Sequence, residues 1–196
     1  MKEFLKKKNI VFSAKRYGID ALGAMAQGLF CSLLIGTIVK TLGQQLNLPF
    51  LVEVGGYCSA MSGPAMAVAI GYALQAPPLV LFSLAANFLA CNVILKPLVD
   101  RTRPYDVLDY TPLIPPVGDP SFPSGHTSAS FAAATAIYAI NKKWGVVAYV
   151  FAAVMGFSRL YLGVHFPTDV LAGALVGTAA AMGIIRIFDA KHRESV

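Results

Sequence analysis

Long apolar stretches separated by short polar turns make up most of the chain. Six stretches can be distinguished, at about 19–41, 51–75, 78–99, 124–141, 144–160 and 167–188. A helix needs about 20 mainly apolar residues to cross the hydrocarbon core of a bilayer. Four stretches reach that length, and the fourth and fifth are a few residues shorter. The pattern predicts an all-α, polytopic integral membrane protein with six transmembrane helices in a bundle, the second broken at Gly63-Pro64.

The composition of the 196 residues supports this interpretation. Hydrophobic residues make up 56% of the chain and charged residues only 13%, against roughly 25% charged residues in soluble globular domains. So little charge cannot cover a water-facing surface of this size. The numbers also exclude a disordered chain, a coiled coil and a disulfide scaffold. The three cysteines are odd in number and lie in apolar stretches, so neither a disulfide nor a metal site is expected.

The basic residues fall into three patches, which predict how the chain is threaded. The patches lie within Lys2–Arg16, at Lys142-Lys143 and within Arg186–Arg193. Basic residues concentrate in cytoplasmic loops, and six crossings place all three patches on one side. We therefore expect a multi-pass plasma-membrane protein with cytoplasmic termini and residues 104–123 outside. A nucleic-acid partner is not expected, because the positive charge is explained by membrane anchoring.

The ionisable residues outside these patches are candidates for function, because charge inside a membrane is costly. On the six-crossing topology, six of them lie near the outer ends of helices three to six. They are Lys96, Arg103, His126, Arg159, His165 and Asp169. Three permanent cations, two imidazoles and one carboxylate around one site suit chemistry on an anionic substrate.

These candidates fall into three blocks along the sequence, and the first block contains two cations. Lys96 and Arg103 are seven residues apart, so they share a helix face if the helix persists through Pro97. Both could then point at one anion. Pro104 biases the helix to end at Arg103. The alternative reading is two side chains that snorkel to the membrane interface.

The second block opens the fourth helix. Ser124 is placed to be its N-cap, Gly125 lets an anion approach the backbone, and His126 lies in the first turn. The first N–H groups of a helix attract anions, helped by the helix dipole. A capping serine beside an incidental histidine is the alternative.

The third block joins the fifth and sixth helices. Arg159 ends the fifth helix, and His165 lies four residues before Asp169. This spacing can bring an imidazole and a carboxylate together on one helical face, where the carboxylate would orient the ring. The alternative is a His–Asp pair with a structural role only.

The three blocks together closely resemble the tripartite signature of the type 2 phosphatidic acid phosphatase superfamily, over about residues 79–189. The resemblance implies an integral membrane phosphatase of lipid phosphates and diphosphates that needs no metal and no cofactor. It implies that His165 is the nucleophile that forms a phosphohistidine, that Asp169 orients it, and that His126 is the general acid. The remaining signature residues would hold the phosphoryl oxygens: Lys96, Arg103, Ser124, Gly125 and Arg159.

The first 86 residues resemble a different family, the membrane permease subunits of sugar phosphotransferase systems. The residues that carry this likeness are Phe12-Ser13, Asp20 to Ala26, Met61 to Pro64, and Ala76 to Leu79. They suggest a fusion or chimera. We therefore divide the chain into an N-terminal membrane segment, residues 1–77, whose helices are atypical for the phosphatase family, and a catalytic region, residues 78–196.

Two features of the remaining sequence also give expectations. The aspartates of the outer loop, Asp106, Asp109 and Asp119, are expected to be solvated, and a bound cation is the alternative. Arg101 is expected to be a loop or interface charge. Small residues recur every four positions and predict close helix packing. They are Gly28, Ser32 and Gly36 in the first helix, and Gly173 and Gly177 in the sixth.

The leading hypothesis is a phosphatase of undecaprenyl diphosphate, with the site facing outward. Phosphatidylglycerophosphate and phosphatidate are the nearest alternative substrates. From other functional classes, the chain could be a fragment of a sugar transporter or an inactive lipid-binding relative. A transporter needs polar groups near the bilayer midplane, whereas the ionisable residues here gather at one surface. The motifs leave the lipid chain, the head group and the oligomeric state open.

Overall fold

Helices occupy the apolar stretches of the chain. The computed structural model describes residues 13–108, 110–114 and 118–194, and all regular secondary structure within these residues is helical. The chain divides into two compact units between Ala76 and Pro77.

The first unit contains a long helix followed by two short ones. The long helix, α1, consists of the consecutive segments Lys15–Asp20, Ala21–Leu29, Phe30–Leu34 and Ile35–Gln45, the first and third of them π-helical. It packs against α2, Pro49–Ala60, and α3, Ser62–Ala73. The break between the two short helices falls at Met61, two residues before the predicted Gly63-Pro64.

Glycines allow the helices of the first unit to approach closely. A Cβ atom added at Gly28 would lie 2.5 Å from the carbonyl oxygen of Ala65, and one added at Gly36 would lie 2.5 Å from Ser59 Oγ. Ser32 is buried between them, and its hydroxyl donates to the Gly28 carbonyl at 2.9 Å. The predicted role of the small residues in α1 is therefore confirmed.

The second unit contains the remaining helices. α4 is formed by the consecutive segments Pro78–Phe88, Leu89–Leu95 and Lys96–Val99, of which the middle one is π-helical. The others are α5, Pro104–Val107; α6, Gly125–Ile140; α7, Lys142–Tyr161; and α8, Pro167–Glu194. Proline is the first residue of three of these helices, where its missing N–H costs no intrahelical hydrogen bond.

The core of the second unit is built from small side chains. α6 lies at its centre and packs against α4, α7 and α8. Ala132, Ala136, Ala152 and Ala181 are among its fully buried residues. Added Cβ atoms would lie 2.7 Å from the Ser124 carbonyl oxygen at Gly173 and 2.0 Å from the Ser128 carbonyl oxygen at Gly177. The predicted close packing of the sixth apolar helix, α8, is confirmed.

Large apolar side chains point outward instead. Phe151 is 71% exposed and Leu175 is 72% exposed, an arrangement that suits a lipid solvent. Among the described residues, four stretches are long and apolar enough to cross a membrane: Gly18–Gln45, Pro78–Val107, Lys142–Tyr161 and Pro167–Lys191. The chain is thus a membrane-embedded, multi-pass helical protein. The count of six crossings stays a prediction, because α2, α3 and α6 have only 12, 12 and 16 residues.

Candidate active site

Lys96 and Arg103 converge on one anion, but not by the predicted route. α4 continues through Pro97 and ends at Val99, and Asp100 then adopts a left-handed conformation with φ of 44°. The shared helix face predicted for the two cations is therefore wrong. The turn at Asp100 brings them together instead. Both side chains contact the carboxylate of Asp119, with Lys96 Nζ at Oδ2 and Arg103 Nη2 donating to Oδ1 at 2.5 Å.

Asp119 is about half exposed, in line with the prediction of a solvated loop residue, but its carboxylate also forms two ion pairs that were not predicted. Lys96 is 8% exposed and Arg103 is 4% exposed, so both cations require a counter-charge. Burial raises the pKa of the Asp119 carboxyl, but the hydrogen bond from Lys96 and the charges of Lys96 and Arg103 outweigh it and hold the pKa below its usual range. Asp106 is exposed as predicted, and Asp109 lies outside the described residues.

Arg103 also ties the Asp119 loop to the segment that carries the predicted nucleophile. Its Nε donates to the Asp119 carbonyl oxygen and its Nη1 to the Val164 carbonyl oxygen, both at 2.9 Å. Val164 directly precedes His165. The same segment contains Gly163, whose φ of 70° suits glycine, and the Tyr110 hydroxyl donates to the Gly163 carbonyl.

His165 and Asp169 lie close together at the start of α8, as predicted, but not on one helical face, because His165 precedes the helix, which begins at Pro167. His165 is buried and Asp169 is fully buried. His165 Nδ1 lies 3.7 Å from Asp169 Oδ2, longer than a normal hydrogen bond. The fully buried Ser121 lies beside both residues. Its hydroxyl donates to the same Asp169 oxygen at 2.5 Å and lies 3.4 Å from His165 Nδ1. No sequence signal indicated Ser121.

Arg101 contacts the other side of the same aspartate. Arg101 Nη1 donates to Asp169 Oδ1 at 2.9 Å and to Thr168 Oγ1 at 2.7 Å. Its guanidinium carbon lies 4.0 Å from the centroid of the Phe166 ring, within the range of a cation–π contact. Arg101 lies in the connection between α4 and α5, as the prediction of a loop charge has it, but its charge has a specific partner that the sequence did not indicate. The only sequence signal was a third cation inside the first block, two residues before Arg103.

The start of α6 is hydrogen-bonded to the start of α8. Ser124 occupies the N-cap position, but its side chain does not cap the helix. Its hydroxyl accepts a hydrogen bond from Thr127 Oγ1 at 3.0 Å, and its N–H donates to the Asp169 carbonyl oxygen at 3.0 Å. Ser124 is fully buried. A Cβ added at Gly125 would lie 3.1 Å from Asn92 Oδ1, so glycine suits this crowded helix start.

The last two predicted residues lie near this cluster. Among the described residues, neither side chain forms a hydrogen bond or ion pair with it. His126 is exposed in the first turn of α6 and interacts electrostatically with Arg159, His165 and Lys96. Arg159 lies in the last turn of α7, where its Nε donates to Ser158 Oγ at 3.3 Å. Within the part of the chain that the structure describes, Arg159 forms no salt bridge.

Metal-ligating residues are not grouped at this site. Among the described residues, no three His, Cys, Asp or Glu side chains are placed to hold one metal ion. The acidic groups of the cluster, Asp119 and Asp169, instead contact lysine, arginine and serine side chains. The donor set is that of a site for an anion held by cations and N–H groups.

Comparison with known proteins identifies the family. Residues 78–193 match the family model described as the PAP2 superfamily, which is more than half of the chain. The chain belongs to the PAP2 superfamily. The tripartite resemblance seen in the sequence is thereby confirmed. Residues 19–100 also match the family model described as phosphotransferase system, EIIC, in line with the resemblance of the first 86 residues.

Curated PAP2-like relatives bear the names of lipid phosphatases. The chain is 34% identical over 106 residues to the undecaprenyl-diphosphatase BcrC of Bacillus subtilis, covering 54% of this chain and 52% of the relative. It is 35% identical over 111 residues to phosphatidylglycerophosphatase B of the same organism, covering 51% and 52%. The chain thus spans about half the length of these relatives.

A solved structure shares the fold. The crystal structure of Aquifex aeolicus LpxE superposes with a TM-score of 0.51 at 24% identity, covering 78% of this chain and 84% of the other. At this identity the likeness concerns the fold alone. It agrees with the helical PAP2 assignment and leaves the substrate open.

Proposed function

We propose that this protein is a membrane-embedded phosphatase that hydrolyses a lipid phosphate or diphosphate through a phosphohistidine intermediate on His165. The observation that carries the proposal is the convergence of two buried cations, Lys96 and Arg103, on a single anion. Arg103 also binds the carbonyl of the residue before His165. A phosphoryl group bound by the same two cations would lie near the imidazole of a buried His–Asp pair.

The phosphate-binding residues are Lys96, Arg103, Ser124, Gly125 and Arg159. The carboxylate of Asp119 has two anionic oxygens, and each contacts one cation, so two phosphoryl oxygens can make equivalent contacts after Asp119 moves away. Gly125 begins α6, whose first N–H groups and dipole favour an anion. Arg159 supplies the third positive charge. A transferring phosphoryl group spreads negative charge over three oxygens, and positioned cations stabilise that charge.

His165 is the proposed nucleophile because its two ring nitrogens face different surroundings. Nδ1 faces Asp169 and Ser121, which leaves Nε2 for the substrate. In the first step the Nε2 lone pair forms the N–P bond while the bond between phosphorus and the leaving oxygen breaks. The positive charge that develops on the imidazole is stabilised by the carboxylate of Asp169, the orienting role that an aspartate has in nucleophilic triads.

His126 is the proposed general acid. It is exposed at the edge of the cluster, within electrostatic range of His165 and Arg159, where it can protonate the departing oxygen. In the second step water attacks the phosphohistidine, and the now neutral His126 removes a proton from that water. Inorganic phosphate leaves, and His165 and His126 return to their starting states. Proton transfer of this kind typically contributes 10²–10⁴-fold to the rate.

The whole constellation lies within the second unit, so we propose that residues 78–196 are the catalytic region and that residues 1–77 are an accompanying membrane segment. The cytoplasmic placement of the basic patches favours an outward-facing site in the plasma membrane. Undecaprenyl diphosphate is the first candidate substrate, supported by the name of the BcrC relative. Phosphatidylglycerophosphate is the second, supported by the phosphatidylglycerophosphatase B relative.

Phosphate release by the purified protein tests this proposal. The substrates are undecaprenyl diphosphate, phosphatidylglycerophosphate, phosphatidate and a soluble diphosphate, each with and without EDTA. We expect release from at least one lipid substrate, undiminished by EDTA, because the positive charges are supplied by Lys96, Arg103 and Arg159. Absence of release from every lipid would overturn the proposed function. Release that requires magnesium would overturn the cation-based mechanism.

A further inference from the structure

Arg101 holds Asp169 on the side that faces away from His165. We propose that Arg101 is a positioning residue: it neutralises and orients the buried carboxylate of Asp169, so that His165 stays uncharged and able to attack phosphorus. This inference rests on the proposed function. No part of the three-block resemblance assigns a role to Arg101.

Asp169 is a buried carboxylate that needs Arg101 as its charged partner. The side chain of Asp169 is fully buried, and a buried charge is stable only when it is paired and hydrogen-bonded. Its Oδ2 accepts hydrogen bonds from Ser121 Oγ at 2.5 Å and from the Phe166 N–H at 2.9 Å. Both of these donors are neutral. Arg101, at 2.9 Å from Oδ1, is the permanently charged partner of this carboxylate among the described residues.

Arg101 is itself fixed in place by other contacts. Its guanidinium lies over the Phe166 ring and donates to Thr168. Its backbone carbonyl accepts a hydrogen bond from the N–H of Ser121 at 2.8 Å. Arg101 and Ser121 therefore approach Asp169 as one connected unit, from the segment after α4 and the segment before α6. A surface ion pair without such support would contribute little.

The chemical consequence follows from charge balance. If Arg101 is removed, the group closest to Asp169 that can become positive is His165, whose Nδ1 lies 3.7 Å from Oδ2. The carboxylate would then favour the imidazolium form of His165. An imidazolium has no lone pair on Nε2, so it cannot form the N–P bond. Arg101 thus supplies the positive partner that Asp169 would otherwise draw from the nucleophile.

Other charged groups face the same region and must be held constant in a test. They comprise three cations, a second imidazole and a carboxylate. These groups are Lys96, Arg103, Asp119, His126 and Arg159. All of them remain in a variant that changes Arg101 alone. A shift in the pH dependence of kcat/KM in such a variant therefore reports on Arg101.

The pH dependence of kcat/KM with an activated aryl phosphate is the decisive readout. In Arg101→Gln we expect the acidic limb to move up by about one pH unit, since a neighbouring charge shifts ionisation by this order. That shift is a roughly tenfold loss on the acidic side of the limb and a much smaller loss on the basic side. Arg101→Lys should restore most of the wild-type profile. Arg186→Gln, which removes an exposed cation farther along α8, should leave the profile unchanged.

An equal loss of activity at every pH, or no change at all, would overturn the role of Arg101. Either result with an active wild-type enzyme leaves the proposed function intact. An inactive wild type would overturn the proposed function instead. Substrate ionisation is common to all variants, so it cancels in the comparison.

A thermal-unfolding cycle tests the pairing without any activity. We expect Arg101→Gln to lower the melting temperature in the wild-type background, because it leaves the buried carboxylate unpaired. In an Asp169→Asn background the same change should cost much less, since no charge then needs a partner. If Arg101→Gln does not fold alone, the double variant should still fold and nearly match Asp169→Asn. A small remaining cost is expected from the lost contacts with Phe166 and Thr168. Equal costs in both backgrounds, or a double variant that does not fold when Asp169→Asn does, would contradict the proposal.

Discussion

Arg103 Nη2 donates a hydrogen bond to Asp119 Oδ1 at 2.5 Å, and Lys96 contacts the second oxygen of the same carboxylate. These two cations are the ones proposed to bind the phosphoryl group. Asp119 is about half exposed, whereas its two partners are buried. A lipid phosphate must therefore displace this carboxylate or share the cations with it.

Neutralising Asp119 should tighten phosphate binding. In Asp119→Asn the cations keep a polar neighbour but lose the competing charge. We expect the inhibition constant of inorganic phosphate to fall roughly tenfold, which corresponds to about 1.4 kcal/mol. Asp106→Asn is the matched control, because Asp106 is exposed and precedes Asp119 in the same connection. Phosphate inhibition that is unchanged or weaker in Asp119→Asn would mean that the carboxylate helps to build the site.

The same variant predicts a pH-dependent change in stability. The ion pairs hold the pKa of the Asp119 carboxyl below its usual range, so the ionised form is favoured in the folded protein. Their contribution is fully present above the unfolded-state pKa of about 3.9 and is lost as pH falls through the lowered value. Wild type should melt a few degrees above Asp119→Asn at pH 7, and the gap should close on acidification. A gap that widens in acid would contradict the assignment.

A side chain at position 177 should lower the stability of the protein. A Cβ at this position would lie 2.0 Å from the Ser128 carbonyl oxygen, and backbone cannot yield cheaply. Gly177→Ala should therefore cost about 1–3 kcal/mol and lower phosphate release as the α6–α8 contact opens. Gly183→Ala is the control in the same helix, because nothing lies within 4 Å of the added atom. Similar melting temperatures for the two variants would show that close packing at Gly177 is not needed.

The helices were largely predictable because a helix that crosses a membrane requires a long run of apolar residues, and such runs can be recognised in the sequence. The third apolar stretch, 78–99, coincides with α4, and the sixth, 167–188, lies within α8. The proximity of His165 and Asp169 was also predicted, because the two are close in sequence, although His165 lies in the turn before α8 and not on the predicted helical face. The break in the second stretch lies at Met61 and not at Gly63-Pro64, because the first turn of a helix accommodates glycine and proline without losing a hydrogen bond.

The contacts around the site were less predictable because they depend on the path of loops. Asp119 is 16 residues from Arg103 and 23 from Lys96, and no periodicity connects such positions. The pairing of Arg101 with Asp169 spans 68 residues. The left-handed turn at Asp100 and the extended backbone at Arg103 replaced the expected continuous helix and redirect Arg101 and Arg103. These positions carried charge in the sequence without indicating a partner.

Labelling from outside the cell tests the predicted orientation. The background is Cys31→Ser with Cys58→Ser, which leaves the buried Cys91. A membrane-impermeant thiol reagent should modify Gly118→Cys and should not modify Lys143→Cys, an exposed position in the first turn of α7. Labelling should reach Lys143→Cys only after the membrane is permeabilised. The reverse pattern would place the site on the cytoplasmic face.

The central claim assigns different roles to the two histidines. His165→Ala removes the proposed nucleophile, so no phosphoenzyme can form with any substrate. His126→Ala keeps the nucleophile and removes the leaving-group acid, a loss of about 10²–10⁴-fold with a poor leaving group. An activated aryl phosphate needs little protonation as it departs and should restore the phosphorylation step in His126→Ala alone.

The single-turnover burst of aryl alcohol from an activated aryl phosphate tests this claim most directly, because it reports phosphorylation before the slower hydrolysis of the intermediate. The account predicts a burst close to one equivalent per protein in His126→Ala and no burst in His165→Ala. A burst in His165→Ala but not in His126→Ala would exchange the two roles. Equal bursts in both variants would contradict the account, since neither histidine would then be the nucleophile.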